Sequence, residues 1–227
     1  ITYSRIPNTF EAEGKVKVRD KIENYEIFSN KLTYFKSEDK INAKGSTEAN
    51  IQSKYNIKSE NIILNLEPKI LSSKEKSVLK DNNNQIYYFN EFVFYVEEEL
   101  LKGKDILTIT NFNLPKSDNF YFSDGIFNLK NKSFSAKDTK VKIHKNIFNE
   151  DKNDPRIYSV SSKGNTNKTI LKKGIFTSCQ EREGCPPWSV KSEEITHDKD
   201  KKEISYKNAF LNIYDIPVFY FPKFFHP

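Results

Sequence analysis

Apolar and polar residues alternate along most of this chain, and helical spacing is hard to find. Val16 and Val18 are interleaved with Lys15, Lys17 and Arg19. The same period of two joins Tyr25 to Ile27, Leu32 to Tyr34, Ile41 to Ala43, Ala49 to Ile51, Tyr55 to Ile57, and Ile62 to Leu64 and Leu66. It returns at Phe127 and Leu129, Phe134 and Ala136, Val141 and Ile143, Trp188 and Val190, Ile204 and Tyr206, and Ala209, Leu211 and Ile213. Short polar segments separate these runs: SEDK at 37–40, DNNN at 81–84, KNK at 130–132, KGNTN at 163–167 and DKDKK at 198–202. Short strands joined by such turns form an antiparallel meander. The stretch EFVFYVEEELLKG, 91–103, admits a helix, but Phe92, Phe94 and Val96 keep the period of two and predict a strand. Its Glu97-Glu98-Glu99 run is expected to be a solvated face.

YEIFSNKLTYF from Tyr25 resembles YNIKSENIILNL from Tyr55, with Gly14 and Gly45 punctuating the two copies. A repeat of that length suggests similar strand pairs stacked in layers; ordinary β-sandwich alternation is the plainer explanation.

Composition agrees with strands. Of 227 residues only 36% are hydrophobic, yet 18 are Phe and 12 Tyr, too many aromatic residues for a disordered chain. The net charge of +6 raises nucleic acid as a partner. However, charges alternate in sign, as in KVKVRDKIENYE and HDKDKKE, so no basic face is expected and nucleic-acid binding is set aside. The chain has no Met, even at position 1, and is expected to be a processed or excised segment. No apolar run approaches the roughly 20 residues of a membrane helix.

Nothing marks an active site. His144, His197 and His226 are far apart in sequence, and no G-x-S-x-G, H-E-x-x-H, P-loop or G-x-G-x-x-G motif occurs. His197 beside Asp198 is expected to make a surface hydrogen bond. Cys179 and Cys185 share the loop CQEREGC, whose spacing matches no common zinc motif. No enzyme activity, metal or cofactor is expected.

The last segment, from Lys173, reads KGIFTSCQEREGCPPWSVKSEEITHDKDKKEISYKNAFLNIYDIPVFYFPKFFHP. Pro217, Pro222 and Pro227 recur every five residues; this forbids a helix and restricts strand pairing to edges or breaks. The run suggests a rigid connector through an apolar environment, or a hydrophobic tail tucked against the core.

The succession GIFTSC, W-S-V, SEEITHD, NA-F-L and IPVFYFP resembles the LptD family of LPS-assembly outer-membrane proteins, also called organic solvent tolerance proteins. Upstream, the G-x-V-x-V and Y-x-I-x-S-x-x-L patterns are similar to the OstA-type periplasmic domain shared with LptA and LptC, whereas 85–170 carries only the general strand pattern. The resemblance implies an all-β fold, an open V-shaped antiparallel β-jellyroll over 1–215, with 216–227 as a connector to a transmembrane barrel. It implies a non-enzymatic, periplasmic role: lipopolysaccharide (LPS) is received from an LptA-like bridge protein by edge-strand addition and relayed to a barrel that holds an LptE-like lipoprotein.

Alternation would send every second residue into an apolar lining for acyl chains, and burial contributes roughly 0.8 kcal/mol per methylene. The period nominates Ile27, Leu32, Tyr34, Ile41, Ile57, Ile62, Leu64, Phe127, Leu129, Leu211 and Ile213 as that lining; the same positions would equally fill a closed core. Phe10, Val16 and Val18 are expected on the edge strand that takes the bridge protein, and Pro217, Phe219, Phe221 and Pro222 in the connector. Cys179 falls where the family places a cysteine bonded to one in the barrel; Cys185 has no counterpart there, and a local Cys179–Cys185 bridge or free thiols are expected. Two alternatives remain: a free-standing LptA- or LptC-like bridge protein, and a β-sandwich glycan-binding or hydrolase module.

Overall fold

The computed structural model describes residues 1–5, 8–22, 24–83, 85–110, 117–144, 153–181 and 186–226. These form seventeen strands, β1 to β17, with no helix among the described residues, and every pairing whose register is recorded is antiparallel. This is the all-β architecture that the alternation predicts, and it is consistent with a β-jellyroll. The chain divides into two compact units: Ile1–Ile106 with Asn128–Lys130, and Leu107–Phe127 with Asn131–Pro227.

Unit 1 is a meander. β2 (Thr9–Asp20), β3 (Tyr25–Phe35), β4 (Lys40–Ile51) and β5 (Tyr55–Asn65) pair in sequence order. The next two strands are each broken in the middle: β6 (Ile70–Ser73) and β7 (Ser77–Asp81) both pair with β5, and β8 (Ile86–Phe89) and β9 (Glu91–Tyr95) follow them. β10 (Leu100–Ile109) pairs with β9, and β1 (Thr2–Ser4) covers the start of β2. Thus 91–103 is strand, turn and strand, as its period predicts.

The long strands are creased near their middles. In β3 the buried residues run Tyr25, Ile27, Ser29 and then skip to Leu32; in β5 they run Tyr55, Ile57, Ser59 and skip to Ile62. A skip of three where the period is two marks a bulge, and the β2–β3, β3–β4 and β4–β5 ladders all shift register there. β2 and β4 turn the corner with Gly14 and Gly45, at φ of 92° and 78°, a left-handed backbone that favours glycine. β3 and β5 supply Ser29 and Ser59 at the same level. Small residues are needed on the concave side of a bend, and a hydroxyl there can meet backbone carbonyls that the bulge leaves without ladder partners. Ser29 Oγ donates to Lys31 O (3.0 Å), Thr47 Oγ1 donates to Glu60 O (3.3 Å), and the buried hydroxyls of Ser59 and Ser73 lie 2.9 Å apart.

The thirty-residue repeat is therefore real in space. Tyr25, Ile27, Leu32 and Tyr34 on β3 lie across β4 from Tyr55, Ile57, Ile62 and Leu64 on β5, through Ile51, Ala49, Ala43 and Ile41.

Unit 2 repeats the device. β12 (Ser133–Lys142) through β17 (Ile216–His226) pair in order, with β13 at Arg156–Gly164, β14 at Lys168–Thr177, β15 at Trp188–Asp198 and β16 at Glu203–Ile213. β15 carries the pattern of β3 and β5 once more: Trp188, Val190, Ser192, a skip, Ile195, His197. Here the alternate strands turn with single left-handed residues, Asp138, Lys173 and Asn208. Ser192 Oγ lies 2.7 Å from the carbonyls of both Glu194 and Lys207.

The Pro-punctuated run is itself a strand. β17 pairs with β16 from Ile213↔Ile216 to Ile204↔His226, across a turn in which Tyr214 and Asp215 both have positive φ, as a tight hairpin requires. Pro217 sits at the register shift beside Asn212, and Pro222 lies between the paired residues Phe221 and Lys223, opposite the left-handed Asn208. Each proline thus falls at an irregularity of the ladder, where its missing N–H costs least.

Two substitutions probe the crease. Lys173→Gly relieves a left-handed lysine and should raise the urea midpoint, by about 0.5–1 kcal/mol in stability, although glycine usually weakens a strand. Ser59→Leu overpacks the concave side and should lower stability by about 1–3 kcal/mol, whereas Thr33→Leu, half-exposed on the other face, should leave the midpoint nearly unchanged.

Candidate lipid-binding site

The crease folds the long strands into two arms, and the inward residues of both arms enclose an apolar interior within each unit. In unit 1 one row crosses six strands: Tyr34, Ile41, Leu64, Leu71, Phe94 and Leu101. On the other arm a second row runs Ile27, Ala49, Ile57 and Leu79. The arms meet: the rings of Tyr55, from one arm, and Phe94, from the other, lie edge to face with centroids 5.3 Å apart. In unit 2 the core consists of Val141, Ile157, Leu171, Phe176, Val190, Ile195, Ile204, Tyr206 and Ala209.

The structure places most of the nominated lining on these interior faces. Ile27, Leu32, Ile41, Ile57, Ile62 and Leu64 are buried together in unit 1, with Tyr34 half-buried at the end of its row. Phe127 is buried in unit 2, its ring 5.7 Å from that of Phe122 and 6.1 Å from that of Phe134. Leu129 lies outside a strand, in the turn after β11 (Asn119–Asn128), where its N–H donates to Glu99 O (2.8 Å). Leu211 is half-buried.

Ile213 corrects the simple period. The register shift at Leu211/Asn212 turns Asn212 inward, 3% exposed, and Ile213 outward, 41% exposed. Sequence reasoning left out of the lining the interior residues Leu71, Leu79, Leu101, Leu171 and Ile195. β6 and β7 are too short to show a period, and Leu171 and Ile195 sit in strands whose alternation a crease interrupts.

Two further expectations change. Phe10 is not on an open edge: it pairs with Tyr3 of β1 on one side and Tyr34 of β3 on the other. Val16 and Val18, farther along β2, are half-buried opposite Ser29 and Ile27. Glu97 and Glu98 are solvated as expected, but Glu99 is not part of a featureless acidic face. From the turn at the tip of one arm, its Oε1 receives Lys54 Nζ (2.8 Å) and its Oε2 receives the Tyr55 hydroxyl (2.6 Å), both from the tip of the other arm. These hydrogen bonds hold the Glu99 carboxyl below the usual range, while burial and then the nearby Glu99 push the Tyr55 phenol above its own. Glu99 therefore latches the two arms of unit 1 across their mouth.

In unit 2, His197 is half-buried, and burial lowers its pKa, with Lys199 adding to the effect. His144 Nδ1 lies 2.9 Å from Asp118 Oδ1. No group of three metal-ligating side chains occurs among the described residues. Cys179 carries a free thiol, half-buried, with Sγ 3.9 Å from Trp188 O; Cys185 lies outside the described residues. The segment around Cys179 is tied down by Glu181, which receives Lys140 (2.7 Å) and Lys142 (2.6 Å) and is held at a pKa of about 2 by them. Along β17, Ile216, Val218, Phe219, Tyr220, Phe221 and Phe225 are exposed, and so is Pro222.

No protein-family model matches the chain. Among curated proteins, the LPS-assembly protein LptD of Yersinia pestis is 44% identical over 54 residues, which is 24% of this chain and 7% of that protein. LptD of Sodalis glossinidius is 36% identical over 64 residues, and LptD of Salmonella paratyphi A 35% over 63, each covering 28% of this chain and 8% of the relative.

About a quarter of this chain is similar to LptD. It spans less than a tenth of the length of the LptD proteins it matches.

The interior and the latch give separate expectations. Ile57→Ala should cost about 2–5 kcal/mol in urea unfolding, and Ile213→Ala, on an exposed face, within about 0.5 kcal/mol. Because the folded pKa of Glu99 is lowered, its contribution is complete above the ordinary glutamate value of about 4.3 and is lost as pH falls through the lowered value. Wild type should therefore exceed Glu99→Gln in midpoint at pH 7, and the gap should close on acidification; a gap independent of pH would remove the latch.

Proposed function

We propose that this chain is an LPS-receiving β-domain of an LPS-assembly outer-membrane protein. It binds the acyl chains of LPS between the arms of its creased strands, without chemistry, and relays the molecule toward an outer-membrane barrel. The observation that carries this reading is the match to LptD over 54 to 64 residues. The apolar rows that cross successive strands support it, because an acyl chain needs an unbroken lining rather than a few polar contacts. The reading places the domain in the periplasm, with the barrel and its LptE-like lipoprotein downstream.

Ile27, Ile57, Ile62 and Leu64 are each at most 1% exposed, covered by their neighbours. A lipid tail reaches them by parting the arms and replacing side-chain contacts with its own. The exchange of one apolar contact for another is nearly neutral, so the arms are held by what bridges their mouth, and Glu99 lies there. An LptA-like bridge protein would deliver LPS by adding a strand at a sheet edge, where main-chain groups supply the affinity. The exposed Ile216, Val218, Phe219, Tyr220 and Phe221 of β17, with Pro217 and Pro222 fixing its breaks, suit a segment that leads into an apolar surrounding.

Photocrosslinking tests the relay. A photoreactive residue at Ile57 or Ile62 should label with LPS in preference to a phospholipid of matched acyl length, and one at Thr33 or Lys44, which lie outward, should not. Equal labelling by both lipids, or labelling only from the outward positions, would sink the proposal.

A further inference from the structure

Unit 1 holds a polar concavity of about 470 Å³ that the interior does not explain. Its floor is a single cross-strand row. Arg19 of β2 stands opposite Glu26 of β3, Glu26 opposite Asn50 of β4, Asn50 opposite Asn56 of β5, and Asn56 opposite Lys80 of β7. All five point away from the apolar interior, because their chain neighbours Ile27, Ala49, Ile57 and Leu79 are buried on the other face. The turn of Gln52 and Ser53, both left-handed, forms one wall. Asn24 Nδ2 meets Ser53 Oγ at 3.5 Å, and Asn82 Nδ2 donates to Ser53 O at 2.9 Å. Lys54 and Tyr55 also line it, so the concavity adjoins the arm tip that Glu99 latches.

The charges of this concavity are already matched. Arg19 is paired with Glu26 and Lys54 with Glu99, Lys80 is engaged, and Asp81 receives the backbone N–H groups of Asn83 and Gln85. An anion seeks an uncompensated cation, and this floor offers none. What it offers is amide. Asn56 Nδ2 donates to Glu48 Oε1 and to Asn50 Oδ1, both at 2.6 Å, which fixes both side chains. Among the described residues no hydrogen-bond partner takes Asn50 Nδ2 or Asn56 Oδ1. A donor and an acceptor are thus held on adjacent strands. Vicinal sugar hydroxyls can meet both, since each hydroxyl donates once and accepts twice.

We propose that this concavity binds an uncharged, hydroxyl-rich stretch of glycan through the Asn50 and Asn56 amides, at the rim of the arms that take the acyl chains. Its natural source would be the sugar portion of LPS, and to that extent it rests on the function proposed above. The volume falls within the roughly 300–1,000 Å³ of pockets that hold small ligands, room for a short oligosaccharide. A glycan gripped at the rim would orient the lipid with its tails toward the interior.

The probe is the oligosaccharide released from LPS by complete deacylation, titrated into the 15N-labelled chain while side-chain amide resonances are followed. The Asn50 and Asn56 amides should shift to saturation. Asn56→Ala and Asn50→Ala should each weaken binding at least fivefold, and Lys44→Ala, on the same outer face but off the row, should not. Absence of shifts along the row, the same shifts with inorganic phosphate alone, or unchanged affinity in Asn56→Ala would overturn the proposal. The acyl-free probe separates the two readings. Interior crosslinking to LPS without oligosaccharide binding removes only the glycan site, and oligosaccharide binding without interior crosslinking removes the relay and keeps the site.

Discussion

A β-strand of eleven residues cannot lie on both sides of an apolar layer unless it bends, and a bent strand loses ladder partners on its concave side. That constraint organises this molecule. β2, β4, β12, β14 and β16 meet it with a left-handed residue that turns the corner, and β3, β5 and β15 with a buried serine that fills little space and carries a hydroxyl. Gly14 and Gly45 alternate with Ser29 and Ser59 in unit 1, and Lys173 and Asn208 alternate with Ser192 in unit 2. Once the crease is set, Tyr55 comes against Phe94, the interior rows face one another, and the arm tips come within reach of the Glu99 carboxylate.

Placing polar groups at the crease and apolar groups on the arms separates two tasks. The hydroxyl line has its hydrogen bonds made within the fold, so it specifies where the strand bends. The inward rows of the unit 1 arms bear aliphatic and aromatic groups, whose contacts are non-directional and can be traded for those of another apolar molecule. An interior of that kind can admit a fatty tail without leaving a buried donor or acceptor unpaired, which would cost about 1–3 kcal/mol for each group. The latch and the polar row sit at the rim, where charged and amide groups keep contact with water.

The aromatic hairpin at β16 and β17 follows a different rule. Exposed apolar groups crowd both faces of β17, yet its prolines fall at breaks of the ladder and its turn is tight. Such a strand is well formed but poorly covered, and contiguous exposed apolar surface marks a place where another apolar body belongs.

The period of two was enough to read an all-β chain, the hairpin turns, the strand at 91–103 and the shared face of Ile62 and Leu64, because side-chain direction in a strand is a local property of the backbone; that Ile57 and Ile62 both point inward follows only from the crease between them. The repeat from Tyr25 to Tyr55 was also legible, since equal positions on alternate strands meet equal surroundings. Three things only the tertiary structure decided. The creases and the register shift at Leu211/Asn212 each move the period by one residue, the latter turning Ile213 out and Asn212 in, and no local rule says where a bulge falls when aspartate, lysine and asparagine can each take the glycine's role. The partners of Glu99 lie 44 and 45 residues away in sequence, and the glutamate run that contains it reads as solvated until the strands fold over. The polar row across five strands exists only through register, which is fixed by the pairing of whole strands and by no residue within it.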